Sequence, residues 1–110
     1  MVDRSPELLP GTLDMLVLKT LTRGPNHGYG IARHIHRVSG DALLIGEGSL
    51  YPALQRLLVN GWVRAEWTAS DTGRTVRQYS ITPAGRKQLA RETHDFGFLM
   101  AAISRVMEGA

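Results

Sequence analysis

The sequence predicts a mainly α domain with a small β-hairpin, and three observations carry that prediction. Four segments repeat apolar residues at helical spacing. Two runs rich in branched and aromatic residues flank a polar tip, as hairpin strands do. Gly, Pro, Asn and Thr stand at the joints between these segments. A length of 110 residues suits one domain, and 43% hydrophobic with 21% charged residues marks a globular chain rather than a disordered one.

Residues 1–10 read as an N-terminal arm ending in Pro10, residues 11–82 as the main domain and residues 83–110 as a C-terminal helix. In the first helix Thr12 is a plausible N-cap. Apolar residues at 13, 16, 17, 18 and 21 are too dense for a surface helix, so this one is expected to be buried until Gly24-Pro25 stops it. A second helix is expected from near Asn26-His27-Gly28, with Ile31, Ile35 and Val38 on one face and Arg33, His34, His36 and Arg37 on the others, ending at Gly40. Leu43-Leu44-Ile45 reads as one small strand, and Gly46-Glu47-Gly48 as a turn. The third helix is placed from about Ser49, as cap, to Asn60, with Pro52 in its first turn and Asn60-Gly61 as a left-handed stop. Strands follow at Trp62 to Trp67 and Thr75 to Ile81, with residues 68–74 as the tip. Thr82 as N-cap and Pro83 at the first helical position open a last helix reaching about Met107.

Several functions are excluded at this level. The chain has no cysteine, which removes disulfides, a thiolate nucleophile and a Cys-based zinc site. No apolar run approaches the ~18 residues of a membrane span, and residues 1–6 lack the pattern of a signal peptide, so a soluble cytoplasmic protein is expected. His34 and His36 point away from each other on a helix, so neither a metal nor another cofactor is expected. Gly28-Tyr29-Gly30 follows no strand and lacks the third glycine of a dinucleotide fingerprint, and Ser49 stands in no nucleophile elbow. Nothing points to an enzyme.

Three helices followed by a hairpin is the order of a winged helix-turn-helix, whose third helix enters the major groove of DNA. The outward face of that helix carries Ser49, Tyr51, Pro52, Gln55 and Arg56. Gln can bond an adenine edge, and Arg a guanine edge or a phosphate. Arg74 and Arg77, at and just beyond the hairpin tip, suit minor-groove or backbone contact. The plain alternative is a solvated helix face and a hairpin whose charges only resist edge pairing.

Gly11-Thr12-Leu13-Asp14, His27-Gly28-Tyr29-Gly30-Ile31 and Gly46-Glu47-Gly48-Ser49-Leu50-Tyr51-Pro52-Ala53-Leu54 resemble the PadR family of bacterial transcriptional regulators. Leu57, Gly61-Trp62, Arg77-Gln78-Tyr79, Thr82-Pro83-Ala84-Gly85 and Leu89 continue the likeness, which covers about residues 10–95 in order. A single helix after the wing is similar to the compact subfamily. The resemblance implies a homodimeric repressor of a bacterial promoter that releases DNA on binding a small, often aromatic compound. It implies a phosphate contact for Tyr29 and a groove-facing helix start at Ser49, Tyr51 and Pro52, with Gly46 and Gly48 allowing close approach. The plain reading of Tyr29 is an amphipathic side chain packed between helices. Gln55 and Arg56 lie where the family pattern varies, so their base-reading role rests on chemistry alone.

In the last helix Leu89, Thr93, Phe96, Met100, Ile103 and Met107 follow a coiled-coil-type 4-3-4-3-4 spacing, widened by Leu99 and Val106. A second copy is the expected partner, and twofold symmetry then implies a palindromic site in double-stranded DNA. Packing on the first helix is the alternative. Phe96, Phe98, Met100 and Met107 read first as a packed dimer core and second as a pocket for a planar aromatic effector. Family members with defined flat-ligand pockets use a Trp in this helix, whereas Trp62 and Trp67 lie in the wing strand.

The net charge of +3 is unevenly spread. Between residues 64 and 91, Arg64, Arg74, Arg77, Arg86, Lys87 and Arg91 face only Glu66 and Asp71, a local +4 on the wing and the start of the last helix. A winged-helix protein-interaction module without sequence-specific DNA binding is the rival reading. Its exposed face should be apolar or acidic, against which Gln55, Arg56, Arg74 and Arg77 stand.

Overall fold

A computed structural model describes residues 8–109 of the chain. Of the expected N-terminal arm, residues 1–7 lie outside the described residues. The elements run α1 (Pro10–Leu21), β1 (Asn26–His27), α2 (Gly28–Val38), α3 (Glu47–Val59), β2 (Val63–Ala69), β3 (Thr75–Ile81) and α4 (Pro83–Met107). The architecture is mainly helical with a small antiparallel sheet, ordered β1-β3-β2.

α1 is buried as its apolar density requires: Leu13, Val17, Leu18 and Leu21 are closed to solvent. Its cap differs from the expectation. Leu9 is the N-cap and Pro10 lies in the first turn, where its missing N–H costs nothing, so Thr12 falls inside the helix. α2 turns Ile31 and Ile35 inward. Its cap is His27, whose Nδ1 accepts from the Gly30 N–H at 3.1 Å. Asn26 and His27 themselves form β1, opposite Tyr79 and Gln78 of β3.

The strand expected at residues 43–45 is absent, and β1 supplies the third strand instead. Leu43 and Ile45 pack against the core from an irregular connection. An apolar run becomes a strand only where a neighbouring strand offers its backbone, and the free edge of β3 is taken by Asn26 and His27.

α3 starts about three residues earlier than a Ser49 cap implies, at Glu47 with Gly46 as N-cap. Ser49 is therefore inside the helix, and Pro52 lies beyond the first turn rather than within it. Leu50, Ala53, Leu54 and Leu57 form the inward stripe. The helix ends as Asn60-Gly61 predicts. Trp62 N–H donates to Leu57 O at 2.9 Å and Gly61 N–H to Leu58 O at 3.0 Å, with Gly61 at φ +74°. Those two bonds are the Schellman pair.

β2 and β3 pair from Val63↔Ile81 to Ala69↔Thr75. β2 begins at Val63, so Trp62 belongs to the turn before it. Val63 and Tyr79 close the core from the sheet. α4 starts as predicted: Thr82 Oγ1 accepts from the Gly85 N–H at 3.0 Å and donates to Gly61 O at 2.7 Å. Gly85 is buried against the Trp62 carbonyl, where a Cβ would collide with backbone. Of the expected α4 stripe, Leu89 packs against the core. Phe96, Met100, Ile103 and Met107 do not, and are 38%, 40%, 42% and 77% exposed.

Candidate nucleic-acid interface

α3 is amphipathic. Its buried leucines anchor one side, so the opposite side must face out. Ser49, Tyr51, Pro52 and Gln55 are all exposed there. Glu47 stands in the first turn, where a carboxylate is favoured by the helix dipole. A Cβ added to Gly46 or Gly48 would meet no atom within 4 Å. Neither glycine is therefore required by packing within the chain.

Arg56 has a different place from the one expected. Its guanidinium grips Asp14 of α1 bidentately, Nη2 to Oδ1 at 2.8 Å and Nε to Oδ2 at 3.2 Å. The Asp14 side chain is 9% exposed and that of Arg56 39%. The hydrogen bond to Asp14 raises the Arg56 pKa above its ordinary value, against a smaller opposing effect of burial. In the chain alone Arg56 thus neutralises a buried carboxylate and pins α3 to α1, while Gln55 remains open to a partner. The geometric reason is its position at the edge of the exposed arc, about 140° round the helix from Tyr51 at 100° per residue. Sequence reasoning passed over Asp14. The signal was present: a carboxylate flanked by Leu13 and Met15 in a helix read as buried has to find a cation.

The wing places its own donors. Strand alternation puts Thr75, Arg77, Tyr79 and Ile81 on one face of β3. The inner members, Tyr79 and Ile81, join the core. Arg77 continues that face beyond the core and lies over the Tyr79 ring, 5.8 Å from its centroid. Its cross-strand neighbour is Trp67, 69% exposed. Ser70 to Arg74 close the tip: Ser70 N–H donates to Arg74 O at 2.7 Å and Gly73 N–H to Ser70 O at 2.9 Å. The Arg74 side chain stays exposed.

Tyr29, 67% exposed in the first turn of α2, stands where these surfaces meet. A groove of about 410 Å³ runs between the helices and the wing, lined by Tyr29, Tyr51, Trp67 and Arg77 among others. A second concavity of about 480 Å³ lies between α2 and the start of α3, bounded by Tyr29, Arg33, Gly46, Glu47 and Tyr51. Gly28 makes the junction tight, since a Cβ there would stand 3.2 Å from the Tyr51 hydroxyl and ring. Tyr29, Tyr51 and Arg77 are thus brought together, Ser49, Pro52 and Gln55 share the α3 face, and Arg74 extends the wing. The groove can take a chain of phosphates or sugars, because Tyr, Trp, Thr and Arg side chains supply its donors. Trp67 was not among the expected contacts. Its signal was the pairing register, which sets it opposite Arg77.

Among the described residues there is no group of three or more His, Asp or Glu that could hold a metal ion. Nor is any helix there long and apolar enough to cross a membrane.

Comparison with known proteins gives one consistent pattern. Residues 17–91 match the model of the transcriptional regulator PadR-like family. The chain is 47% identical over 97 residues to a 37.1 kDa protein in transposon TN4556 of Streptomyces fradiae. That match covers 87% of this chain and 25% of the other, so the chain spans about a quarter of that relative's length. A transcriptional regulator from Clostridium thermocellum superposes with a TM-score of 0.80 at 27% identity, over 86% of this chain and 92% of its own. A PadR family transcriptional regulator from Eggerthella lenta does so with a TM-score of 0.78 at 27% identity, over 91% and 85%.

Proposed function

The chain belongs to the PadR-like family of transcriptional regulators, and from that premise we propose that it is a homodimeric, sequence-specific repressor working in the cytoplasm. It would bind a palindromic site in double-stranded DNA and be released by a small-molecule effector. The family consists of regulators rather than enzymes. One observation carries the DNA-reading part: the exposed α3 face and the wing guanidinium of Arg77 border one groove, with Tyr29 at its junction.

In this reading Gln55 offers its amide to a base edge, and Ser49, Tyr51 and Pro52 form the groove-facing start of α3. Tyr29 and Arg77 hold the backbone strand that passes between helix and wing, and Arg74 reaches the neighbouring minor groove. The open space around Gly46 and Gly48 supports close approach of DNA to the helix start. Arg56 is assigned to Asp14 rather than to a base. The dimer forms through the exposed part of the α4 stripe, Phe96, Met100, Ile103 and Met107, with Leu89 at its core-packed end. Any planar aromatic effector would enter at that seam.

A gel shift with the DNA upstream of the protein's own gene tests the reading. A sequence-specific shift is expected, weakened with added salt by each phosphate contact made. Tyr51→Ala should lose it. No specific shift at low salt would leave the winged-helix interaction module as the better description. Adding planar aromatic acids to the shifted complex tests release, and Phe96→Ala should blunt any response.

A further inference from the structure

We propose that the outer face of α2 is a second DNA anchor, a row of cations that grips backbone phosphates beyond those held by α3 and the wing. This rests on the DNA-binding function proposed above and extends its footprint to residues outside the reading helix and hairpin.

The row is built by helical spacing. Tyr29, Arg33 and Arg37 stand at i, i+4 and i+8, so they share one side of the helix and advance about 6 Å per step. That is comparable to the step between successive phosphates along one strand. Arg33 and Arg37 are exposed. Arg33 is held in place by Tyr29, its guanidinium carbon 5.6 Å from the ring centroid. Arg37 is steadied by His34, Nη2 to Nδ1 at 3.3 Å. Arg23, from the turn after α1, closes the same concavity of about 760 Å³. Its one acid is Asp41, 3.8 Å from His36 Nδ1.

Two features separate this face from an ordinary solvated one. A solvated helix face usually interleaves signs, with acids four residues from bases. α2 contains no Asp or Glu at all, and its two arginines form a like-charged i,i+4 pair that weakens an isolated helix. The His34 pKa is lowered, first by burial and then by Arg23 and Arg37, which agrees with a net positive potential on this face. The second feature is continuity. Tyr29 and Arg33 line both this concavity and the one at the start of α3, and Tyr29 also lines the groove beside the wing. One cationic strip therefore runs from Arg77 past Tyr29 to Arg33 and Arg37, the shape of a strand of phosphates rather than of a compact ligand.

The test is fluorescence anisotropy over a range of salt, using a duplex with the specific site and a duplex of unrelated sequence. The variants are Arg33→Gln, Arg37→Gln and their double. Expected is an equal fractional loss of affinity for both duplexes and a salt slope shallower by about one for each phosphate contact removed. Arg33→Lys, which keeps the charge, should restore most of the slope. An unchanged slope in the double variant, with wild-type binding intact and Tyr51→Ala still defective, overturns this anchor and leaves the function standing. Loss of affinity for the specific duplex alone would overturn it too, since that is base reading. A wild-type chain that binds neither duplex removes both proposals. Melting temperature, read on each variant, should stay at or slightly above wild type, because a like-charged pair is relieved.

Discussion

Asp14 shows how one side chain constrains another across the chain. Its carboxylate sits in the wall of a buried helix, and the Arg56 guanidinium supplies two hydrogen bonds to it. Arg56→Ala should therefore destabilise the fold by about 2 kcal/mol, because the carboxylate keeps its burial and loses its partner. Chemical denaturation checks this, and Asp14→Asn combined with Arg56→Ala should recover part of the loss. Any DNA-binding defect of Arg56→Ala has to be read against that loss of stability. Gly48 makes the opposite separation. A methyl group there meets nothing within the chain, so Gly48→Ala should leave stability equal or slightly raised while weakening DNA binding severalfold. Equal DNA affinity would show that DNA does not approach this turn closely. His34 adds a pH effect. Its pKa in the folded protein lies below the ordinary 6.5, so on acidification the unfolded chain takes up this proton first. Stability from this site is complete above the ordinary value and is lost as pH falls towards the folded value. His34→Gln should flatten the thermal stability profile over that acidic range.

At the scale of elements, local signals succeed where the chain needs no distant partner. α4 opens on Thr82 and Pro83 because the hydroxyl, the fixed φ and the free N–H groups lie within four residues. Thr82→Ala should cost about 1–2 kcal/mol, since it removes both the cap and the bond to Gly61 O. A melting curve measures it. β3 was legible residue for residue, and α3 ended where Asn60-Gly61 said. The failures share a cause. Leu43-Leu44-Ile45 has strand composition, yet pairs with no strand, and Asn26-His27 has none, yet takes the second edge of β3. Ser49 is a good cap by type, but the helix extends back to Glu47, which the glycine-flanked turn concealed. Of the candidate site, the exposure of Tyr51 and Gln55 was legible from the inward leucines that push them out. The pairing of Arg56 with Asp14 was not legible, because the carboxylate lies in another helix.

For the whole molecule, the extents of 56 × 39 × 21 Å describe an elongated body, and α4 accounts for much of its length at about 1.5 Å per residue. Among the described residues the C-terminal part of its stripe has little cover: Leu99 and Val106 are 51% and 75% exposed. An apolar strip on that scale is expected to bury itself against a second copy. Sedimentation should give a dimer at micromolar concentration. Met100→Glu with Ile103→Glu should yield monomers, lower the melting temperature and reduce affinity for a palindromic site far more than for a half-site.

The order of the four helices and the hairpin, the burial of the first helix and the outward faces followed from residue order alone, because capping, turn chemistry and hydrophobic period act within a few residues of chain; the place of the third strand did not. Only the folded chain decided which cations are spent inside it and which remain for a partner. Arg56 and Arg33 are the same residue type on neighbouring amphipathic helices. One meets the buried Asp14 and the other meets Tyr29 at the surface. Whether a charge is paired depends on what stands opposite it in space, and that is set by how the helices pack.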